Sequence, residues 1–319
     1  MTINRRKFIT TMLSAGVLAP SITVRAFNRK NMWTAPDISR EMDENLFVFI
    51  SDLHCNPEGY QADRLRKVVQ SIISMNPLPS HVIALGDLAY LTGKVSEYEG
   101  LKKILQPIED AGIKMTLGMG NHDRRETFRQ VFPSHAKESL LPDRYLYKVE
   151  HPYCDFIILD SLQQGEDTTT WITPGALSEN QVQYLEKTLP TYPKPVFVCA
   201  HHPLGETKIS TILVNSPACC GYIYGHTHRW DKNWIEHWSE GAYTGKYNLM
   251  RTLCMPSTGH WGDIGYCTMR LMKDGCKVFL HQDDFFFPTP APSDMPVPER
   301  WKAFVEENQG DSCYFPFLP

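Results

Sequence analysis

The chain has 319 residues, 42% of them hydrophobic, and a formal net charge of -4, which is enough apolar material for one large core with appendages. An acidic body is a poor footprint for duplex nucleic acid, which is held mainly by Lys and Arg on phosphates, so no nucleic-acid polymer is implied as a partner. The nine cysteines include no Cys-x-x-Cys pair, so zinc held by thiolates lacks its usual spacing.

At the amino end, Asn4-Arg5-Arg6-Lys7-Phe8 sets paired arginines before an apolar run from Phe8 to Ala19 and a small-residue site at Val24-Arg25-Ala26. This is the layout of a twin-arginine export signal over residues 1–26, which implies the export machinery as partner and a periplasmic or otherwise exported location. The apolar run is too short to span a bilayer, so the mature chain carries no expected transmembrane span. Removing the signal takes Arg5, Arg6, Lys7 and Arg25 with no acidic residue, and leaves 28 basic side chains (32 less four) against 36 acidic ones. Residues 27–45 are polar and irregular and read as a linker.

A catalytic domain is expected over residues 46–282. Leu46 to Ile50 is an apolar run of strand length, as in a strand buried on both faces. Leu65, Val68, Val69 and Ile72 then repeat at helical spacing. Val82 to Leu85 is the next strand, Tyr98, Leu101, Leu105 and Ile108 mark a second helix, and Met115 to Met119 is a third strand. Tyr145 to Val149 and Cys154 to Leu159 read as a strand pair. Ser178 opens a helix carrying Val182, Leu185 and Leu189 and is expected to cap it by accepting from the Gln181 amide. Strands follow at Val196 to Ala200 and Tyr222 to Tyr224. The later runs near Leu249 to Met255, Tyr266 to Leu271 and Val278 to Leu280 follow one another without helices, which predicts a second sheet packed on the first. The tail, residues 283–319, is rich in proline and aromatics, with a helical stretch around Trp301 to Glu307. Cys154 and Cys199 read as core residues, while Cys219, Cys220, Cys254, Cys267, Cys276 and Cys313 are open to bridging.

Five polar segments each follow a strand-like run: Asp52-Leu53-His54, Gly86-Asp87, Gly120-Asn121-His122-Asp123, His201-His202-Pro203 and Gly225-His226-Thr227-His228. Polar residues at the carboxyl ends of strands gather along one sheet edge, where α/β proteins bind ligands. Mixed Asp and His suit zinc, manganese or iron, divalent or trivalent, and do not choose among them. Asp52 and His54 converge on one centre only if their strand has ended, as the position after Ile50 permits. Asp87 has two oxygens with which to bridge two metals. Asn121 offers a neutral carbonyl oxygen, and His122 is free to act on substrate with Asp123 accepting from its other ring nitrogen. Adjacent residues diverge, so His201 is the expected ligand and His202 either supports it or lies on the surface; His226 and His228 address two neighbouring metals. Two dications against Asp52, Asp87 and a bridging hydroxide leave about +1 for an anionic phosphate, and such a hydroxide would be the nucleophile.

The set D-x-H, G-D, G-N-H-D, H-x-P and G-H-x-H in this order resembles the calcineurin-like metallophosphoesterases, over about Leu46 to His260. The resemblance implies a four-layer α/β/β/α sandwich of two mixed sheets and a dinuclear phosphoester hydrolase acting on small molecules. It places Asp52, His54 and His228 on one metal, Asn121, His201 and His226 on the other, Asp87 between them, and His122 uncoordinated. The turn Pro256-Ser257-Thr258 and the Ser178 helix are similar to the cyclic-nucleotide and glycerophosphodiester branch, which favours diesters, with His260 near the pocket. Gly86-Asp87-Leu88-Ala89-Tyr90 also matches the G-D-x-x-Y of purple acid phosphatases, a monoesterase alternative; since His54 is present, Tyr90 is read as packing. A further alternative, suggested by the tail, is a metal-loaded envelope protein without catalysis.

Overall fold

The computed structural model describes residues 41–232, 251–286 and 309–317. The expected export signal, residues 27–40 of the expected linker and the stretch around Trp301 to Glu307 lie outside the described residues. Within them the strands are β1 (Met42–Ile50), β2 (Leu78–Ala84), β3 (Lys114–Leu117), β4 (Tyr147–Val149), β5 (Asp155–Ile158), β6 (Val196–Cys199), β7 (Cys219–Tyr224), β8 (Thr252–Cys254), β9 (Gly262–Leu271), β10 (Gly275–Phe286) and β11 (Ser312–Pro316). The helices are α1 (Tyr60–Ile73), α2 (Val95–Asp110), α3 (Arg125–Val131), α4 (Pro133–Lys137), α5 (Glu179–Thr188), α6 (Leu204–Thr207) and α7 (Ser210–Val214). Among the described residues no helix is long and apolar enough to cross a membrane.

The strands form two mixed sheets, in the orders β11-β10-β9-β1-β2-β3 and β4-β5-β6-β7-β8. Strand alternation explains how they stack. In the second sheet Phe156, Ile158, Phe197 and Cys199 belong to the core shared with the first sheet, while Ile157, Leu159, Val196, Val198 and Ala200 face a separate core closed by Leu185 of α5 and Leu213 of α7. Between the sheets, Phe156 lies 5.3 Å from Phe47 and 5.5 Å from Phe197, which meets Phe315 at 5.4 Å. The outer face of the first sheet is covered by the buried stripes of α1 and α2, Leu65, Val68 and Ile72 with Leu101, Leu105 and Ile108. The result is the expected four-layer α/β/β/α arrangement of two mixed sheets. Because β1, β2 and β3 are parallel, and β5, β6, β7 and β8 are parallel, their carboxyl ends gather polar residues at one edge of each sheet.

Four expectations need correction. Residues 42–45, assigned to the linker, begin β1 and pair with Leu78 and Pro79. The last strands do not make the second sheet. Only β8 joins it, while β9 returns antiparallel to β1 and β10 and β11 extend the first sheet. The tail therefore ends as an edge strand with Phe315 buried between the sheets. No disulfide joins any of the nine cysteines, eight of which are buried.

Candidate metal centre

The five segments leave their strands by abrupt turns. Asp52, His54, Asp87, His226 and His228 all have left-handed backbone, with φ of 51°, 41°, 48°, 67° and 55°. Side-chain-bearing residues rarely accept that region, so neighbouring structure must hold them there. The hold is visible in the backbone. Asp52 N–H donates to Gly86 O at 3.1 Å, His54 N–H to Asp87 O at 2.8 Å, and Gly225 N–H to His201 O at 3.0 Å. The two sheet edges are also tied to each other: His226 N–H donates to Asp52 at 3.1 Å and His201 Nδ1 to Leu85 O at 3.1 Å. Glycine is required where the turns touch. A Cβ on Gly120 would collide with the Asp87 carboxylate, and one on Gly225 with Ser51 and Asp52.

These turns bring all seven expected ligands together. Donor atoms of Asp52, His54, Asp87 and His228 lie within 4.8 Å of one another, as do those of His201, His202 and His226. Asp52 Oδ1 is 3.1 Å from His228 Nε2, and His54 Nε2 is 3.3 Å from His228 Nε2. On the other side Asn121 Oδ1 is 3.2 Å from His201 Nε2 and 2.9 Å from His226 Nδ1. Asp87 Oδ2 stands between the two groups, 3.3 Å from His54 Nε2 and 3.2 Å from His201 Nε2.

The chemistry of this donor set fits cations. His54, His201 and His228 direct Nδ1 to the carbonyls of Tyr90, Leu85 and Trp261 at 3.1, 3.1 and 2.9 Å. A carbonyl only accepts, so in the neutral rings Nε2 is left as a bare lone pair, the arrangement that orients histidine ligands. Those lone pairs converge on two carboxylates, and only positive charge among them makes the arrangement favourable. The acid-base behaviour says the same. Burial alone would raise both carboxyls, but His228 and His201 hold Asp52 below its usual range, and His201, His122 and His54 do so for Asp87. Burial works against a charged His201, yet Asp87 and Asp52 push it up to about 9.

His122 stands apart from the ligands. Its Nδ1 donates to Leu91 O at 2.9 Å, its ring lies 4.7 Å from that of His54, and burial brings it down to about 4. Asp123 does not orient it, contrary to expectation. The Asp123 carboxylate accepts from the N–H groups of Leu88, Ala89 and Gly120 at 3.1, 3.0 and 2.8 Å and from Tyr98 OH at 2.9 Å. It is a buried clasp between the Asp87 and Asn121 turns, and a backbone carbonyl does the work expected of it. His202 is support, as expected: Ser161 Oγ is 2.7 Å from Nδ1, and Nε2 donates to Thr173 O at 3.0 Å. Ser178 caps its helix only through the backbone: Gln181 N–H donates to the Ser178 carbonyl at 3.0 Å and the expected side-chain cap is absent. The Gln181 side chain bonds Asp160 N and O, both at 2.8 Å.

Several partners escaped the sequence reading. Trp171 lies 4.6 Å from the His122 ring and Trp261 4.2 Å from that of His228. Arg125 closes a bidentate pair with Asp160 at 2.6 and 2.7 Å. His260, by contrast, lies where it was expected, near the pocket, 4.3 Å from the His54 ring. The only signal for the Asp123 clasp was Tyr98, a tyrosine on the buried face of a helix whose hydroxyl had to find a partner. Tyr90 meets the site through its carbonyl on His54.

Comparison with known proteins agrees with this geometry. Residues 46–230 match the family model described as calcineurin-like phosphoesterase. A probable cyclic nucleotide phosphodiesterase of Rhodopseudomonas palustris is 27% identical over 236 residues, 70% of this chain and 77% of that protein. A protein of the same name from Rhodococcus erythropolis is 28% identical over 172 residues, 50% of this chain and 52% of that protein. Among solved structures, a dimetal phosphatase of Danio rerio superposes with a TM-score of 0.57 at 15% identity, over 75% of this chain and 96% of that one. A purple acid phosphatase from yellow lupin gives 0.53 at 13% identity, over 86% and 54%. These two likenesses speak for the fold alone. With the family model spanning more than half the sequence and falling on the segments that build the cluster, the chain belongs to the calcineurin-like phosphoesterases, hydrolases of phosphoester bonds.

Proposed function

We propose that this chain is a phosphodiesterase of small molecules working with two bound cations. Asp52, His54 and His228 would hold one, Asn121, His201 and His226 the other, and Asp87 both. The observation that carries this reading is the place of Asp87 Oδ2, within 3.3 Å of an imidazole nitrogen from each group. Bound there, zinc, manganese or iron supplies Lewis acidity toward the phosphoryl oxygens and lowers the pKa of water for attack on phosphorus.

The chain's own side chains do the rest. His122 N–H holds the second Asp87 oxygen at 2.9 Å and so fixes the carboxylate's rotation. With Nδ1 committed to Leu91, His122 has Nε2 left to exchange a proton with the leaving alcohol. His260 flanks His54 as His122 does, with ring distances of 4.3 and 4.7 Å, so two rings outside the ligand set stand beside the centre. Two such rings suit a phosphate with two ester arms. The names of the Rhodopseudomonas and Rhodococcus relatives favour the same class. That Tyr90 meets His54 through its carbonyl favours packing for its ring over the ligand role of a purple acid phosphatase.

The test is hydrolysis of an aryl phosphodiester by metal-loaded protein, beside the matching monoester. Faster diester turnover is expected. Metal-loaded protein that turns over neither ester would refute catalysis and favour a binding protein.

The amino-terminal segment is proposed to export the chain, on the strength of Arg5-Arg6 and the apolar run after them. Residues 1–26 fused to a folded reporter should reach the periplasm of a host with a twin-arginine translocase; a reporter kept in the cytoplasm would overturn this.

A further inference from the structure

The phosphodiesterase reading leaves open what the ester arms are, and the surface beside His122 bears on it. Among the described residues, two of the seven exposed large hydrophobic side chains touch the two flanking histidines: Tyr60 meets His260 and Trp171 meets His122. Trp171 is 42% exposed with one side against His122. Its remaining surface is open, and a tryptophan exposed beside a reacting centre offers a flat apolar face to a ligand.

Trp171 is fixed in place. It lies in the irregular segment between β5 and α5, residues 159–178. Before it, Arg124 donates to Gly165 O at 3.3 Å and to Asp167 O at 2.8 Å, and Asp167 accepts from Thr169 N–H at 2.8 Å. After it, Thr173 O accepts from His202 at 3.0 Å and Gly175 N–H donates to Glu206 at 2.7 Å. The anchors thus stand next to His122-Asp123 on one side and to His201 on the other, so the loop is pinned to two segments of the centre. Beside Trp171 opens a cleft of about 470 Å³, lined also by Leu91, Thr92, Lys94, Arg124 and Thr169. That is room for a planar ring and a sugar, and Lys94 suits an anionic neighbour.

We infer that Trp171 is a specificity-determining residue, the shelf on which a planar aromatic arm of the phosphodiester, such as a nucleobase, stacks beside His122. The inference rests on the phosphodiesterase reading and names its substrate class. Stacking on an aromatic side chain is tolerant of which ring is offered, so aryl groups serve as probes.

Methyl p-nitrophenyl phosphate and bis(2,2,2-trifluoroethyl) phosphate differ in whether the leaving arm, the one His122 faces, is aromatic. For Trp171→Ala, KM on the aryl diester should rise about tenfold or more, with kcat changed by less than about twofold and the trifluoroethyl diester unaffected. Trp171→Phe should restore most of the affinity. Equal losses on both diesters, a loss in kcat alone, or no change on either would overturn the inference. A second readout needs no turnover: adenosine monophosphate, but not ribose phosphate, should quench tryptophan fluorescence in the wild type and not in Trp171→Phe. Equal quenching in both proteins would overturn it as well. Wild type that is loaded with metal and hydrolyses neither diester sinks the phosphodiesterase reading, and the quenching result then decides Trp171 separately.

Discussion

Asp52, His54 and His228 are almost fully buried, and both imidazoles are fixed through Nδ1 on loop carbonyls; across Asp87, His226 is half-buried and turns Nδ1 toward Asn121. The first half also owns a carboxylate, Asp52, beyond the shared Asp87, where the second has the neutral oxygen of Asn121. Buried charge and prior orientation both strengthen cation binding. The comparison teaches that the first half would hold a cation more tightly and the second would exchange it more readily. The unequal halves can be pulled apart by experiment.

The largest effect belongs to emptying both halves. Chelator treatment should lower diester hydrolysis by about 10³-fold or more, and added zinc, manganese or iron should restore it. Activity that survives complete metal removal would break the scheme. Next comes His122→Ala, expected to lower kcat by about 10² to 10⁴ while elemental analysis finds both metals in place. Loss of metal in that variant would move His122 among the ligands.

Asp123→Asn should act on both halves at once, since its carboxylate clasps the turns that carry Asp87 and Asn121. Leaving buried N–H groups without an acceptor should cost about 2 to 3 kcal/mol in chemical denaturation. Unchanged stability with only kcat reduced would instead return Asp123 to the orienting role that its position after His122 suggested.

That misassignment shows where the sequence stops being legible. The ligands could be found because metal chemistry restricts donors to a few residue types and strand ends put them at one edge. Asp87 and Asn121 announce themselves by type and place. The partner of His122 is a main-chain carbonyl at Leu91, and a carbonyl has no letter in the sequence. The same holds for Tyr90, Leu85 and Trp261, whose carbonyls orient three histidines. Most strands were legible from apolar runs, but β11 was not, and the pairing of β9 with β1 across more than 200 residues leaves no local periodicity. Trp171 sits in an irregular segment, where composition says nothing of direction.

A smaller effect concerns pH and touches both halves, since burial works against a charged His54 as well and Asp87 and Asp52 still raise it. Without metal, Asp87 and Asp52 overcome burial and keep His201 charged up to about pH 9, from an ordinary 6.5. That raised value stabilises the folded, metal-free chain fully below pH 6.5, and the contribution fades as pH rises through 9. A cation needs the bare ring, so the sign for metal is opposite: affinity of the second half should climb with pH through neutrality and level off above about 9. Calorimetric titration showing flat affinity across that window would remove the proton competition. Smallest is the order of release. A graded chelator titration should remove one metal about 10 to 100-fold more readily than the other, and His226→Ala should lack that one alone.

The central claim is that Asp87 joins two cation positions into one centre, and counting metal per chain in wild type and Asp87→Asn tests it most directly. About two per chain in the wild type are expected, falling to one or fewer in the variant, with diester hydrolysis lost. Two metals retained in Asp87→Asn with hydrolysis intact would contradict it.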